Sequence, residues 1–222
     1  MTFTSVPRLQ SLEYMMRQVP RYRPDPSALS TSEFYIGAYG DYLRKLPYWK
    51  GSSAAEEGNG LPWSVLMILM TSPFRNPQFE KRIQNEILIE SEDENMIYKS
   101  HVHRRVFKQA VRERNATDNI FLAALFLLTA NHTFWNRIKI HVTTDAIRFE
   151  NFPMNKCTAE EYTIFRCAQD LLTGSRHITV ADLADITVVS GETFRVICNA
   201  MTIARYGMPK TGKQTEKGAS AT

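Results

Sequence analysis

Residues 120–128 read IFLAALFLL, an unbroken apolar run. It falls far short of the roughly 20 residues that a bilayer span needs. As a helix it has no polar side to turn towards water, so the fold must bury it. Asp118 stands where an N-cap belongs and predicts a helix from there to about Asn131. A second apolar run at 65–70, VLMILM, makes the same demand. Pro62 suits the first turn of a short buried helix that ends near Thr71.

Helix punctuation recurs along the rest of the chain. Ser5, with Pro7 after it, opens a helix carrying Leu9, Leu12, Met15, Met16 and Val19 at helical spacing, and Pro20 stops it. Pro20, Pro24 and Pro26 then make a stiff linker bearing Arg21 and Arg23. Ser30 and Glu33 form a capping box ahead of an aromatic helix, with Phe34, Tyr35, Tyr39 and Tyr42, that runs to about Leu46. The stretch 51–60, GSSAAEEGNG, reads as a loop. A helix over 77–90 places Phe79, Ile83 and Ile87 on one stripe and ends in an acidic patch of Glu86, Glu90, Glu92, Asp93 and Glu94. Ser100 caps the next helix, to about Arg114. Thr158 and Glu161 form a second capping box, and Gly174 sits where that helix should end. Two further helices follow, at about 180–186 and 191–206, with Gly207 ending the second. Residues 134–152 fit two patterns. Ile138, Ile140 and Val142 alternate like a strand, yet Phe134, Trp135, Ile138 and Val142 fit a helix, and the reading favours helix followed by an extended piece over 147–152. The fold class expected is mainly α, a helical bundle with at most one short hairpin or extended piece near 138–152. Its parts would be an N-terminal helical region (1–98), a C-terminal helical domain (99–207) and a disordered tail (208–222).

Composition narrows the function classes. Hydrophobic residues make up 43% of the 222, enough for a real core. A net charge of +4 permits an acidic partner without requiring one. Cys157, Cys167 and Cys198 are odd in number and form no C-x-x-C pair, which reads as reduced, mostly buried thiols rather than disulfides or a zinc site. The N-terminus has no apolar run behind a charged segment, so the expectation is a cytoplasmic protein with no signal peptide and no membrane partner. No G-x-S-x-G, Gly-rich phosphate loop or H-E-x-x-H occurs either, so the expectation is a non-enzymatic protein without cofactor or metal. His101 and His103 point about 200° apart on a helix and cannot share one ion. His132, His141 and His177 have no carboxylate or thiol at a telling spacing. Glu160 and Glu161, and Asp182 and Asp185, are explained by their places near helix starts.

Two patterns point towards partners. On the helix YKSHVHRRVFKQAVRER, His101, Arg104, Arg105, Lys108 and Arg112 fall within an arc of about 100°, with Val102, Val106, Ala110 and Val111 assigned to the other side. Such a stripe suits an acidic protein surface or nucleic-acid phosphates; it also fits an ordinary solvated face, partly neutralised by the acidic patch before it. The segment ITVADLADITVVSGETFRVICNA resembles the helix-turn-helix of lactose-repressor-type regulators through Thr179, Asp182, Ala184, Val189, Ser190, Thr193 and Asn199. That resemblance implies DNA contact by Ser190, Thr193 and Arg195 within 180–199. Val188 departs from it, standing where the turn usually has a glycine at positive φ, as does the acidic opening Gly191-Glu192-Thr193.

Over about 100–207 the chain resembles a family of small proteins from phages and other mobile elements of Firmicutes. The matching pieces are the His103 to Phe107 helix, AALFLLTAN, IRFENF, EEYTIFRCAQDLLTG and ITVADLAD…FRVICNAMTIARYG. The resemblance implies a bacterial cytoplasm and an accessory role on a mobile element. From it follows the expectation of a protein or ribonucleoprotein partner, with inhibition of a host-defence nuclease complex of the CRISPR type as the form that role would take. A DNA-binding transcriptional regulator is the alternative.

Overall fold

The computed structural model of the chain describes residues 61–71, 74, 76–88 and 98–209. The helices expected within 1–46, the proline linker, the 51–60 loop, the acidic residues 90–94 and nearly all of the tail lie outside the described residues.

Eight α-helices are present among the described residues: α1 (Trp63–Met70), α2 (Pro77–Ile83), α3 (His101–Arg114), α4 (Asn119–Thr129), α5 (His132–Ile138), α6 (Ala159–Thr173), α7 (Val180–Ala184) and α8 (Gly191–Tyr206). The fold is therefore mainly α. The caps expected from sequence are in place because each needs only a side chain three residues ahead of an orphan amide. Ser100 Oγ accepts from His103 N–H at 3.1 Å, and Asp118 Oδ1 accepts from Phe121 N–H at 2.8 Å. At the start of α6, Thr158 Oγ1 and Glu161 Oε2 close both arms of a capping box, at 3.2 and 3.0 Å. Gly174 and Gly207 both have positive φ, 72° and 78°, as helix-ending glycines do.

Three segments differ from the expectation. The helix at 77–90 is α-helical only to Ile83 and then widens into a π turn, Gln84–Leu88. The helix at 180–186 ends at Ala184, because the Asp185 carboxylate takes up the Thr187 N–H at 2.9 Å and its hydroxyl at 2.7 Å, starting a turn instead. Between α5 and α6 lie three short 3-10 turns, Lys139–His141, Phe149–Asn151 and Met154–Lys156. Val142 and Ile147 form an isolated antiparallel bridge around a turn in which the Thr143 hydroxyl accepts from Ala146 N–H. No strand develops among the described residues: Phe149 and Phe152 instead turn inward onto Phe165, their ring centres 5.2 and 5.5 Å from it.

Helix α4 is the centre. Every residue from Ile120 to Thr129 is buried, as the unbroken apolar run requires. Helices α8 and α6 pack on it along most of its length, and α3 and α5 close other sides. Helix α8 reaches from α4 across to α1, where Trp63 Nε1–H donates to Asn199 Oδ1 at 2.7 Å. Residues from α1 and α2 and from α3 to α8 belong to one continuous core. Among the described residues no helix is long and apolar enough to cross a membrane.

Candidate partner-binding face

Helix α3 touches the core along one side. Its buried residues are His103, Val106, Phe107 and Ala110, at spacings of three, one and three that keep them on one face. Phe107 and His103 meet Phe126 of α4 with ring centres 5.5 and 4.4 Å apart, and Tyr98 closes the group at 5.8 Å from Phe126. His103 is a core residue, which its sequence context did not indicate. Its Nδ1 accepts from Lys99 N–H at 3.1 Å, and its Nε2–H donates to the Phe126 carbonyl at 3.0 Å. Those two bonds suit the neutral ring. Burial lowers its pKa to about 4, the Phe126 carbonyl pulling the other way and the Lys99 charge adding to the lowering. The helix ends at Asn115, which adopts φ 48°, a left-handed conformation that asparagine tolerates.

All five stripe residues, His101, Arg104, Arg105, Lys108 and Arg112, are exposed. The stripe covers about 16 Å of helix at 1.5 Å per residue. The ion pairs of the described residues involve Arg82, Lys99, Arg114, Arg137 and His177, and none involves the stripe. Arg104 lies 5.8 Å over the Tyr98 ring. Glu86, the described member of the acidic patch, pairs with Arg82 at 2.8 Å rather than with the stripe. Glu113, on the flank of α3, accepts from Gln109 at 2.8 Å and from Arg114 at 3.1 Å. Those bonds, the Gln109 amide first, hold its carboxyl below the usual range. Val102 stands on the outer side, 44% exposed, rather than in the core as its apolar character suggested. The face therefore combines a cationic stripe with a border of Val102, Gln109 and Glu113.

The helix-turn-helix-like segment is placed differently. Helix α8, the would-be recognition helix, is buried along most of its length, including Thr193, Asn199 and Thr202. Ser190 is exposed, but its hydroxyl donates to Glu160 Oε1 at 2.9 Å while its oxygen caps Thr193 N–H at 3.4 Å. Arg195 is half-buried and donates to the Glu86 carbonyl at 3.3 Å. Thr193 thus belongs to the core, and Ser190 and Arg195 hold α8 to its neighbours; the three do not form an open face that could read base edges. The turn avoids positive φ at Val188 by a different route: Val188 N–H and Val189 N–H both donate to the Asp185 carbonyl, at 3.1 and 3.0 Å. The turn is also clamped from α2. Arg82, only 5% exposed, donates to the Leu183 and Val189 carbonyls at 2.6 Å each, and its guanidinium lies 4.2 Å over the Phe194 ring.

A second polar group escaped the sequence reading. Asp170, in the last turn of α6, is fully buried and accepts from Ser175 Oγ at 2.7 Å, His177 N–H at 3.0 Å and Ile178 N–H at 2.9 Å. His177 Nδ1 lies 2.6 Å from Asp170 Oδ1, the oxygen that also accepts from Ser175, so His177 does have a carboxylate partner, across the turn. Arg166 Nη1 approaches the opposite ring nitrogen at 3.2 Å. With both ring nitrogens engaged, the group works as a latch that folds 174–178 back onto α6. An aspartate at a helix C-terminus opposes the macrodipole; that conflict was the available signal. The three cysteines are free thiols; Cys167 and Cys198 are buried, and burial pushes both well above the usual thiol range.

Comparison of the chain with protein-family models, with curated proteins and with solved structures gives no match in any of the three.

Proposed function

We propose that this chain is a non-enzymatic accessory protein that binds an acidic protein or ribonucleoprotein surface through the outer face of α3. One observation carries the reading: Arg104, Arg105, Lys108, Arg112 and His101 share an exposed face on which no described carboxylate neutralises them. Three arginines favour a partner rich in carboxylates or phosphates, since the guanidinium fork binds either bidentately. The border of Val102, Gln109 and Glu113 favours a protein-bearing partner over naked duplex, because protein interfaces mix apolar and polar contacts while a border acid repels a phosphate backbone. The resemblance of residues 100–207 to mobile-element proteins supports a bacterial cytoplasm as the setting and a host-defence nuclease complex as the target. The burial of Thr193 and most of α8 counts against the alternative, a regulator reading DNA through 180–199.

The test replaces Arg104, Arg105, Lys108 and Arg112 together with Gln. Gln keeps helix propensity close to that of Arg and Lys, so thermal stability should hardly move. Co-purification from host lysate, followed by mass spectrometry and titration against the recovered complex, should show the partner lost or weakened at least tenfold. Unchanged association makes the stripe ordinary solvated surface. Salt-steep binding to random duplex DNA, lost in the same variant, turns the reading to a nucleic-acid binder.

A further inference from the structure

Six arginines among the described residues lie over aromatic rings: Arg82, Arg104, Arg114, Arg137, Arg166 and Arg205. Five of them also use their N–H groups inside the fold. Arg82 donates to Glu86 and to two carbonyls, Arg114 to Glu113, Arg137 to Glu161, Arg166 to Gln169 and Arg205 to the Leu69 carbonyl. Arg104 differs. It is exposed, and its guanidinium donates to no acceptor and pairs with no carboxylate among the described residues.

The platform under Arg104 is itself held by the core. Tyr98 is half-buried, and its ring centre lies 5.6, 6.0 and 5.8 Å from those of His103, Phe107 and Phe126. The Arg104 Cζ sits 5.8 Å from the centre of this ring, within reach of a cation–π attraction. Burial raises the pKa of the phenol, the Arg104 charge pulling the other way, so the cation meets a neutral ring at pH 7. Stacking engages the flat face of a guanidinium and leaves its in-plane fork open. A carboxylate then receives two parallel N–H bonds from that fork. His101 and Lys108 lie one helical turn to either side and add like charge. No described contact holds the side chains of His101, Arg105, Lys108 or Arg112. Those four give up their rotamer freedom on binding, a cost that pre-organisation reduces for Arg104.

We propose that Arg104, stacked on Tyr98, is the anchor of the α3 face and receives a carboxylate of the protein partner through its open fork, with Tyr98 as its positioning residue. The inference rests on the reading of α3 as a binding face. It adds which of the five stripe residues carries specificity and what holds that residue in place.

Anisotropy titration of a fluorescein-labelled oligoglutamate peptide with the full chain, at low ionic strength, tests it. Tyr98→Leu removes the ring and keeps an apolar filler; binding should weaken about fivefold, while Tyr98→Phe, which keeps the ring, should bind as the wild type does. Should Tyr98→Leu fold poorly, Arg104→Lys makes the test at an exposed position. The charge stays and the fork goes, so binding should weaken about tenfold, while Arg105→Lys and Arg112→Lys should stay within about twofold. The quadruple Gln variant separates this inference from the reading beneath it. If that variant binds the peptide as the wild type does, the α3 face fails and the anchor with it. If it loses the peptide while Arg104→Lys and Tyr98→Leu bind like the wild type, the face stands and the anchor is overturned. Equal losses for Arg104→Lys, Arg105→Lys and Arg112→Lys also overturn it, in favour of a diffuse positive field. Tighter binding to an oligonucleotide of equal charge, lost in Arg104→Lys, overturns the carboxylate and assigns the fork to a phosphate.

Discussion

The neutral His103 ring makes the attachment of α3 sensitive to acid. In the unfolded chain a histidine titrates near 6.5, while in the fold burial lowers His103 to about 4. Between those values the unfolded state binds a proton that the native state refuses, so stability rises with pH across this window. The contribution is present in full above about pH 6.5 and is lost as the pH falls towards 4. The gap, at about 1.4 kcal/mol per pH unit, amounts to about 3 kcal/mol, a large fraction of the stability of an ordinary domain. Carboxylates titrate in the same range, so the informative quantity is a difference. His103→Gln offers an amide N–H for the Phe126 carbonyl and an amide oxygen for Lys99 N–H, and does not titrate. Urea unfolding of both proteins at pH 7.5, 6.0, 5.0 and 4.5 should show the wild type losing stability faster, the difference growing by about 2–3 kcal/mol as the pH falls. A constant offset between the two is of no consequence. Parallel curves across the window would refute the buried neutral ring.

Other outcomes follow from the same contacts. Arg82→Met leaves the Leu183 and Val189 carbonyls and the Glu86 carboxylate without the guanidinium that holds them; a loss of about 3–5 kcal/mol is expected by chemical denaturation, while Lys81→Met, at an exposed neighbour, should stay within about 0.5 kcal/mol. Asp170→Asn keeps a single acceptor oxygen for a carboxylate that now serves Ser175, His177 and Ile178, and a loss of about 2 kcal/mol should appear as a lowered Tm. Gly207→Ala meets a φ of 78° with ψ of −173° and the Asn119 side chain 3.1 Å from the new Cβ; about 1–3 kcal/mol should be lost, with Asn119→Ala in the same chain recovering only the steric part.

What was legible in the sequence was local. Ser100, Asp118, Thr158 and Ser190 cap helices from within three residues of the amide they serve, so each could be read without knowing the fold. The stripe on α3 is a matter of periodicity along one helix, and its five residues are exposed. What sequence could not give was set by distant partners. Arg82 meets carbonyls 101 and 107 residues away, and Trp63 meets Asn199 across 136. Asp170 and His177 are seven residues apart, yet a helix end and a turn bring them together, a geometry that spacing alone does not encode. The alternation at 138–149 misled in another way: Ile138 is buried by α5 while Ile140 is 77% exposed on the following turn, so the period of two has no sheet behind it.

The helix-turn-helix-like segment does form two helices joined by a short turn, and what counts against DNA reading there is the burial of the second. A recognition helix must offer a polar face to the groove. In α8, Val196, Ile197, Cys198, Ala200, Met201, Ile203 and Ala204 are all buried, and on its polar side Asn199 and Thr202 are buried as well. Helices α4, α6 and α1 supply that cover. Helix α3 is the contrasting case. It anchors through His103, Val106, Phe107 and Ala110, and its other side needs nothing from the fold. Neutralising the stripe should therefore change what α3 binds without changing how α3 is held, whereas any polar substitution that opened α8 to a groove would first have to break the core. A functional face on this molecule has to be sought where the fold makes no demand, and the outer side of α3 meets that condition.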